Sequence, residues 1–250
     1  MPHIDFNCDL GEGCGSDAAI VPLISSASIA CGGHAGDAAS MAETVALCEQ
    51  HGVAIGAHPS YEDRVGFGRH DMDLASDAIS TLVTNQVAAL AEVCVAAGAQ
   101  LHHVKPHGAL YNRAARDPEV AIAIATAVHA FDPRLILYGL SDSCLTAAGT
   151  AVGLRVAHEV FAERRYDADG RLAPRGTPGA VIETQNDALA QVRLLIDDGV
   201  VIARDGTRVR LQADTLCLHG DRPDAAAFAR SLRSALEAAS VNIRAPGSDA

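Results

Sequence analysis

The stretch GVAIGAHPSYEDRVGFGRHDMDLASDAISTLVTNQVAALAEVCVAAGAQLHHVKP, residues 52–106, decides the fold. It opens on a short β-rich run (52–58), crosses a polar loop (59–73), continues through a segment of helical period (76–98) and returns to a second β-rich run (100–106). Short apolar runs bounded by glycine or polar clusters read as buried strands, and a helical segment between two of them reads as a parallel crossover. The same order repeats on both sides. HIDFNCD (3–9), ASIACG (27–32), RLILYG (134–139), LRVAHEV (154–160) and DTLCLHGD (214–221) read as further strands, and 16–25, 36–51, 117–131, 141–150, 183–199 and 223–240 as helices. Asp37 and the Asp117-Pro118 pair mark helix starts, and Gly52, Gly98 and Gly199 mark helix ends. Seven β-then-α units predict one α/β domain over residues 1–250, a seven-stranded parallel TIM-like β/α barrel, with an open doubly wound sheet as the alternative. Residues 244–250 are expected to be a flexible tail.

Two loops are longer than a compact domain needs: 59–73 after the third strand and 161–180 after the sixth. The second carries an Asp-Gly turn that suggests a small hairpin flap, and a similar turn within 200–212 suggests a structural hairpin.

Composition excludes several function classes. A formal net charge of −12 repels polyanions, and no basic cluster alternates with aromatics, so neither nucleic acid nor a membrane is an expected partner. The seven cysteines are scattered and never spaced CxxC, which favours reduced core thiols. The N-terminus lacks a basic segment followed by an apolar one, and no run approaches the roughly 18 apolar residues of a membrane span. A soluble, cytoplasmic protein is expected.

In a β/α barrel the segments after the strands converge on one face. That brings together Asn7, Asp9 and Glu12 after the first strand, His34 and Asp37 after the second and His58 after the third. Lys105 and His107 follow the fourth, with Tyr111 just beyond. His158 and Glu159 end the sixth, followed by Arg164 in the flap, and His219 and Asp221 end the seventh. Asp37 and Asp221 could instead simply cap the helices they precede. His3, His51 and His129 fall at a strand start, a helix end and a helix body, and are assigned no function. Asp9, His34 and His58 offer a donor set that a divalent metal accepts, weighed against a metal-free acid/base site. No GxxxxGK[ST], GxGxxG or GxSxG pattern occurs, so any ATP the reaction consumes is expected to bind elsewhere.

Lys105 is the only lysine in the chain. An ammonium is compact and its pKa moves on burial, whereas a guanidinium needs room for its planar fork and keeps its proton. The position therefore calls for a short cation or a neutral amine.

The segments HIDFNCDLGEGCG, ASIACGGHAGD, GAHPSYEDRVGFGRH, VKPHGALYN, EVFAERRYDADGRL and CLHGD, in this order along nearly the whole chain, resemble the LamB/YcsF family. The resemblance implies a barrel of the glycoside hydrolase/deacetylase type. It also implies ATP-dependent hydrolysis of the lactam 5-oxo-L-proline to L-glutamate as the A component of 5-oxoprolinase, with subunits B and C activating the substrate by phosphorylation. In that reading Asp9, His58 or Glu159 activates water, with Glu12 and His34 beside them. Lys105, His107 and Arg164 hold oxyanions, and Asn7, Asp37, Tyr111, His219 and Asp221 contact substrate. Departures from the family pattern at Gly33, Ala38, Glu62, Arg64 and His70 put the shape of the pocket wall in question. Competing readings are a metal-dependent deacetylase or other amide hydrolase, a Schiff-base lyase built on Lys105, and a non-catalytic lactam-binding module.

Overall fold

The computed structural model describes residues 3–220 and 224–248. Its strands are β1 (His3–Leu10), β2 (Ser26–Ala30), β3 (Ala54–His58), β4 (Leu101–Val104), β5 (Ile136–Leu140), β6 (Arg155–Phe161), β7 (Val200–Ile202), β8 (Arg208–Arg210), β9 (Thr215–His219) and β10 (Asn242–Ile243). Among the described residues, β1 to β6 and β9 pair in parallel in that order, and β9 pairs with both β6 and β1. The sheet is closed. The open doubly wound alternative is excluded by that last pairing.

The helices are α1 (Asp17–Ile20), α2 (Ala38–His51), α3 (Ser76–Ala97), α4 (Gly108–Ala114), α5 (Pro118–Phe131), α6 (Cys144–Ala151), α7 (Gln185–Asp198) and α8 (Ala225–Ala238). The local signals act as expected. Gly52, Gly98 and Gly199 close α2, α3 and α7 in the left-handed conformation, and the Asp117 side chain caps α5 ahead of Pro118.

The period of two along β1 separates two environments. Ile4, Phe6, Cys8 and Leu10 join the main hydrophobic core, while Asp5, Asn7 and Asp9, each nearly inaccessible, alternate with them and form a polar ladder. In register, Asp9 lies beside Ser28 of β2 and His219 of β9, and Asn7 lies beside Ser26 and Cys217.

Several expectations need correction. Helix α4 and strand β10 stand where the sequence pattern predicts no element. Residues 242–246 are held rather than loose: β10 pairs with β1, the Arg244 amide donates to the Ile4 carbonyl at 3.1 Å, and the Pro246 carbonyl lies 2.8 Å from His102 Nε2. Helix α3 is long and apolar enough to cross a membrane by length and composition. Its buried residues Ile79, Val83, Val87, Leu90 and Cys94 belong to the barrel's core, which accounts for its hydropathy. Helix 16–25 shortens to α1 followed by a 3-10 turn over Val21–Leu23. The flap is pinned by bridges between Tyr166 and Leu172 and between Arg164 and Val181, and β7 and β8 form the second hairpin.

Candidate active site at the barrel mouth

A cavity of about 310 Å³ opens where the barrel strands end. Asp9, His58, Lys105, His107, Tyr111, Arg164 and His219 all line it, together with Phe161 and the arginines Arg69, Arg116, Arg171 and Arg175. The two long loops supply much of the wall: Arg69 and Asp71 come from 59–73, and Arg164 to Arg175 from 161–180. Phe67 in the first loop has a left-handed φ of 55°, and Gly68 follows at 64°. A Cβ on Gly68 would sit 2.9 Å from both His34 and His107, so only glycine lets this loop lie against the histidines.

Lys105 is 2 % exposed. Its Nζ lies 2.7 Å from Glu159 Oε1 and donates to Asp9 Oδ1 at 2.8 Å, Asn7 Oδ1 at 3.0 Å and Cys217 Sγ at 3.1 Å. This compact cage fits an ammonium and leaves no space for a guanidinium fork. Burial alone would lower the Lys105 pKa, but Asp9, the Cys217 sulfur and Glu159 outweigh it and hold it well above the ordinary value. The lysine is therefore a cation rather than a free amine, which removes the basis of the Schiff-base reading. Burial likewise acts to raise Asp9, and its pairing with His58 and the Lys105 ammonium more than offsets it, so the carboxyl stays well below its usual range.

Glu159 is fully buried beneath the cavity, with Oε1 also accepting from Asn7 Nδ2 at 3.0 Å. Tyr111 is pushed well up, first by burial and then by the Glu159 charge. Across the mouth, His219 Nδ1 hydrogen-bonds the buried Glu163 carboxylate, while His219 Nε2 lies 3.9 Å from Asp9 Oδ2. Burial would raise Glu163, but its pairing with His219 brings it below the usual value. Arg164 donates to the Ala173 carbonyl at 2.6 Å and leaves its Nε without a partner; burial and the neighbouring Arg175 lower it to about 10.

A second cluster stands beside this one. His34 and His107 stack with centroids 3.7 Å apart, His34 Nε2 meets Glu12 Oε1 at 3.0 Å, and His107 Nδ1 lies 2.9 Å from His58 Nε2. Glu12, His34, His58 and His107 place potential ligand atoms within 4.8 Å of one another, as do Asp9, Cys217 and His219. Burial lowers both His34 and His107.

The LamB/YcsF family model matches residues 4–249. The chain belongs to the LamB/YcsF family. A Bordetella pertussis relative that carries the name of the 5-oxoprolinase A component is 52 % identical over 249 residues, covering 98 % of this chain and 99 % of its own. One of the same name from Chloroflexus aggregans is 53 % identical over 251 residues, covering 98 % and 100 %. The crystal structure of a lactam utilization protein from Thermus thermophilus superposes with a TM-score of 0.90 at 46 % identity, over 97 % of this chain and 99 % of that one. The catalytic domain of a peptidoglycan N-acetylglucosamine deacetylase from Eubacterium rectale shares the fold alone, at a TM-score of 0.53 and 10 % identity.

Not every strand-end residue reaches the cavity of this LamB/YcsF barrel. Asp37 is an exposed cap whose side chain accepts from the Ser40 amide at 2.9 Å, completing a capping box. Asn7 and Glu159 lie under the cavity as supports for Lys105. Glu12 and His34 stand behind His107. His158 turns aside to accept from the Asp142 amide at 3.2 Å, and Asp221 lies outside the described residues. Sequence reasoning missed Glu163 and Cys217; Glu163 immediately precedes Arg164 and was legible as a carboxylate just past a strand. The positions that depart from the family pattern do not line the cavity. At Gly33 a Cβ would fall 2.5 Å from Ser60 Oγ, so the space here is packed by Ser60 and Gln86, and Arg64 ties the Gly32 and Gly36 carbonyls at 2.9 Å each.

Proposed function

We propose that this chain is the A component of an ATP-dependent 5-oxoprolinase, a cytoplasmic enzyme that opens the lactam ring of 5-oxo-L-proline to L-glutamate. Subunits B and C bind ATP and phosphorylate the lactam oxygen; this single barrel domain performs the hydrolysis. The observation that carries the reading is the cavity itself. Its base is a pair of proton-transfer groups, Asp9 and His219, and its walls hold Arg164, Arg171 and Arg175. An activated lactam carries a carboxylate and a phosphoryl group, and planar guanidinium forks suit both.

Ring opening needs a proton removed from the attacking water and a proton delivered to the departing ring nitrogen. The acyl phosphate so formed is hydrolysed by a second water, which releases inorganic phosphate and leaves glutamate. Of the three candidate bases, Glu159 is buried under Lys105, and His58 has both ring nitrogens directed at protein atoms, Nδ1 at the Lys105 carbonyl at 2.7 Å and Nε2 at His107. Asp9 Oδ2 remains as the acceptor of the water proton. His219, oriented through Nδ1 by Glu163, delivers a proton from Nε2 to the leaving nitrogen. Lys105 keeps Asp9 ionised and holds Glu159 in place, and Arg164 with the rim arginines holds the substrate's oxyanions.

The test is glutamate release from 5-oxo-L-proline by this chain mixed with its B and C partners, with each component and ATP omitted in turn. Release that requires the chain, both partners and ATP is expected. Release of an amine or acyl product by the chain alone, stopped by a chelator, would instead support a metal-dependent amide hydrolase.

A further inference from the structure

Hydrogen-bond parity beside the cavity points to a ligand. His58 Nδ1 lies 2.7 Å from the Lys105 carbonyl oxygen and His107 Nε2 lies 3.0 Å from the Phe67 carbonyl oxygen. A carbonyl only accepts, so each of these nitrogens carries the ring proton, and in a neutral imidazole the other nitrogen is then a bare lone pair. Those two lone pairs, on His58 Nε2 and His107 Nδ1, face each other at 2.9 Å. Glu12 Oε1 lies 3.5 Å from His107 Nδ1, and Asp9 Oδ2 lies 3.4 Å from His58 Nε2. Four acceptor atoms thus run side by side, and no hydrogen lies between the two ring lone pairs or between Glu12 and His107. A cation belongs among them.

The arrangement selects its ligands. Bonds of about 2.0–2.2 Å to nitrogen and oxygen donors, at angles between octahedral and tetrahedral, place neighbouring donors roughly 2.8–3.6 Å apart, a range that includes the observed 2.9 and 3.5 Å separations. The His58 and His107 rings are inclined at 80°, so both lone pairs can aim at one point. His34 cannot join them: it lies flat on His107 at an interplanar angle of 5°, so an ion in the plane of one ring is out of the plane of the other. Its Nε2 instead donates to Glu12 at 3.0 Å and orients that carboxylate. Asp9 is already engaged by the Lys105 ammonium. The carbonyls that fix the His58 and His107 tautomers are the outer partners that metal-binding imidazoles normally have. Charge agrees: among the buried side chains, four carboxylates, Asp9, Glu12, Glu159 and Glu163, stand against two cations, Lys105 and Arg164, while the other arginines of the cavity are exposed at its rim. A single proton on His58 would serve one of these contacts and leave the Glu12–His107 pair unserved.

We propose that Glu12, His58 and His107 bind one divalent transition-metal ion of the zinc, manganese or cobalt type, with His34 as the positioning residue for Glu12 and an open coordination position facing the cavity. Two imidazoles and one carboxylate with a vacant side is a donor set such ions accept. The donor set differs from an Asp9, His34 and His58 site in two of its three members.

The experiment uses the full chain, stripped with a chelator and then equilibrated with Zn²⁺, Mn²⁺ or Co²⁺ alone. Bound metal is measured by mass spectrometry and calorimetry, and the visible spectrum is recorded for Co²⁺. One ion per chain is expected, lost in Glu12→Gln, His58→Ala and His107→Ala, each checked for folding by circular dichroism. His34→Gln should keep the stoichiometry while weakening affinity on the order of 10–100-fold. No saturable binding, or binding unchanged in His107→Ala, overturns the site. Loss of stoichiometry in His34→Gln equal to that in His107→Ala overturns the three-ligand assignment. If His107→Ala does not fold, Glu12→Gln decides the matter. Metal is read directly, so the result stands apart from the ring-opening reading.

Discussion

The two ends of the barrel interior solve the same problem in different ways. At the lower end the Asp5 carboxylate, 1 % exposed, accepts from three neutral hydroxyls: Ser25 and Thr215 at 2.6 Å and Ser26 at 2.7 Å. His103 stacks on Tyr138 across the space left by Gly56, where a Cβ would overlap the imidazole. At the upper end Asp9 and Glu159 are held by a cation, and lone pairs and an arginine Nε are left facing one another or the cavity. Neutral donors close a buried carboxylate into a structural plug. A cation keeps it ionised, and unmet valences beside a cavity are what a reaction uses.

Lys105→Met should disturb this contrast most. It leaves Asp9 and Glu159 as uncompensated buried charges, which should cost about 3–5 kcal/mol in chemical denaturation and abolish turnover. Lys105 is raised in the fold, so its contribution is complete below its unfolded value of 10.5 and is lost only as pH rises through the still higher folded value. A variant as stable as the parent at pH 7 would contradict the cage.

His219→Gln is expected to lower the ring-opening rate by roughly 10²–10⁴-fold with an unchanged unfolding midpoint. A midpoint shift as large as that of Lys105→Met would make His219 structural instead.

The lower plug should show a smaller effect of another kind. Burial raises the Asp5 pKa above 3.8 despite its three hydroxyl donors, so the folded state binds this proton more tightly than the unfolded chain does. The stability difference between the parent and Asp5→Asn should therefore shift against the parent as pH rises from 3.8 through the folded value, and level off above it. Turnover per folded molecule should not change. Smaller still, thiol labelling of the native chain should be confined mainly to the exposed Cys14, since Cys8, Cys31, Cys48, Cys94 and Cys217 are buried and burial pushes Cys31 and Cys48 up to about 12.

The same contrast explains what the sequence made legible. Parallel strands deliver their ends to one face, so Asp9, His58, Lys105, His107 and His219 could be grouped before any coordinates. Alternation then sorts neighbours that spelling alone cannot: Glu159 faces the lysine while His158 turns to the Asp142 amide. Asp37 satisfied both a cap and a site pattern, and the cap prevailed because its oxygen is within reach of the Ser40 amide. Helix α4 escaped notice because seven residues opening on a glycine after Pro106 carry little periodicity. Glu163 and Cys217 act through contacts with His219 and Lys105 that are 56 and 112 residues away in the chain, a relation no local pattern encodes.

If this barrel opens a ring which its partners have activated, the two half-reactions should come apart when only the barrel's base is removed. ATP consumption and glutamate release are followed together in the complete three-component mixture carrying Asp9→Asn. ATP consumption should continue while glutamate release stops. Glutamate release at the parent rate would contradict the assignment of ring opening to this site.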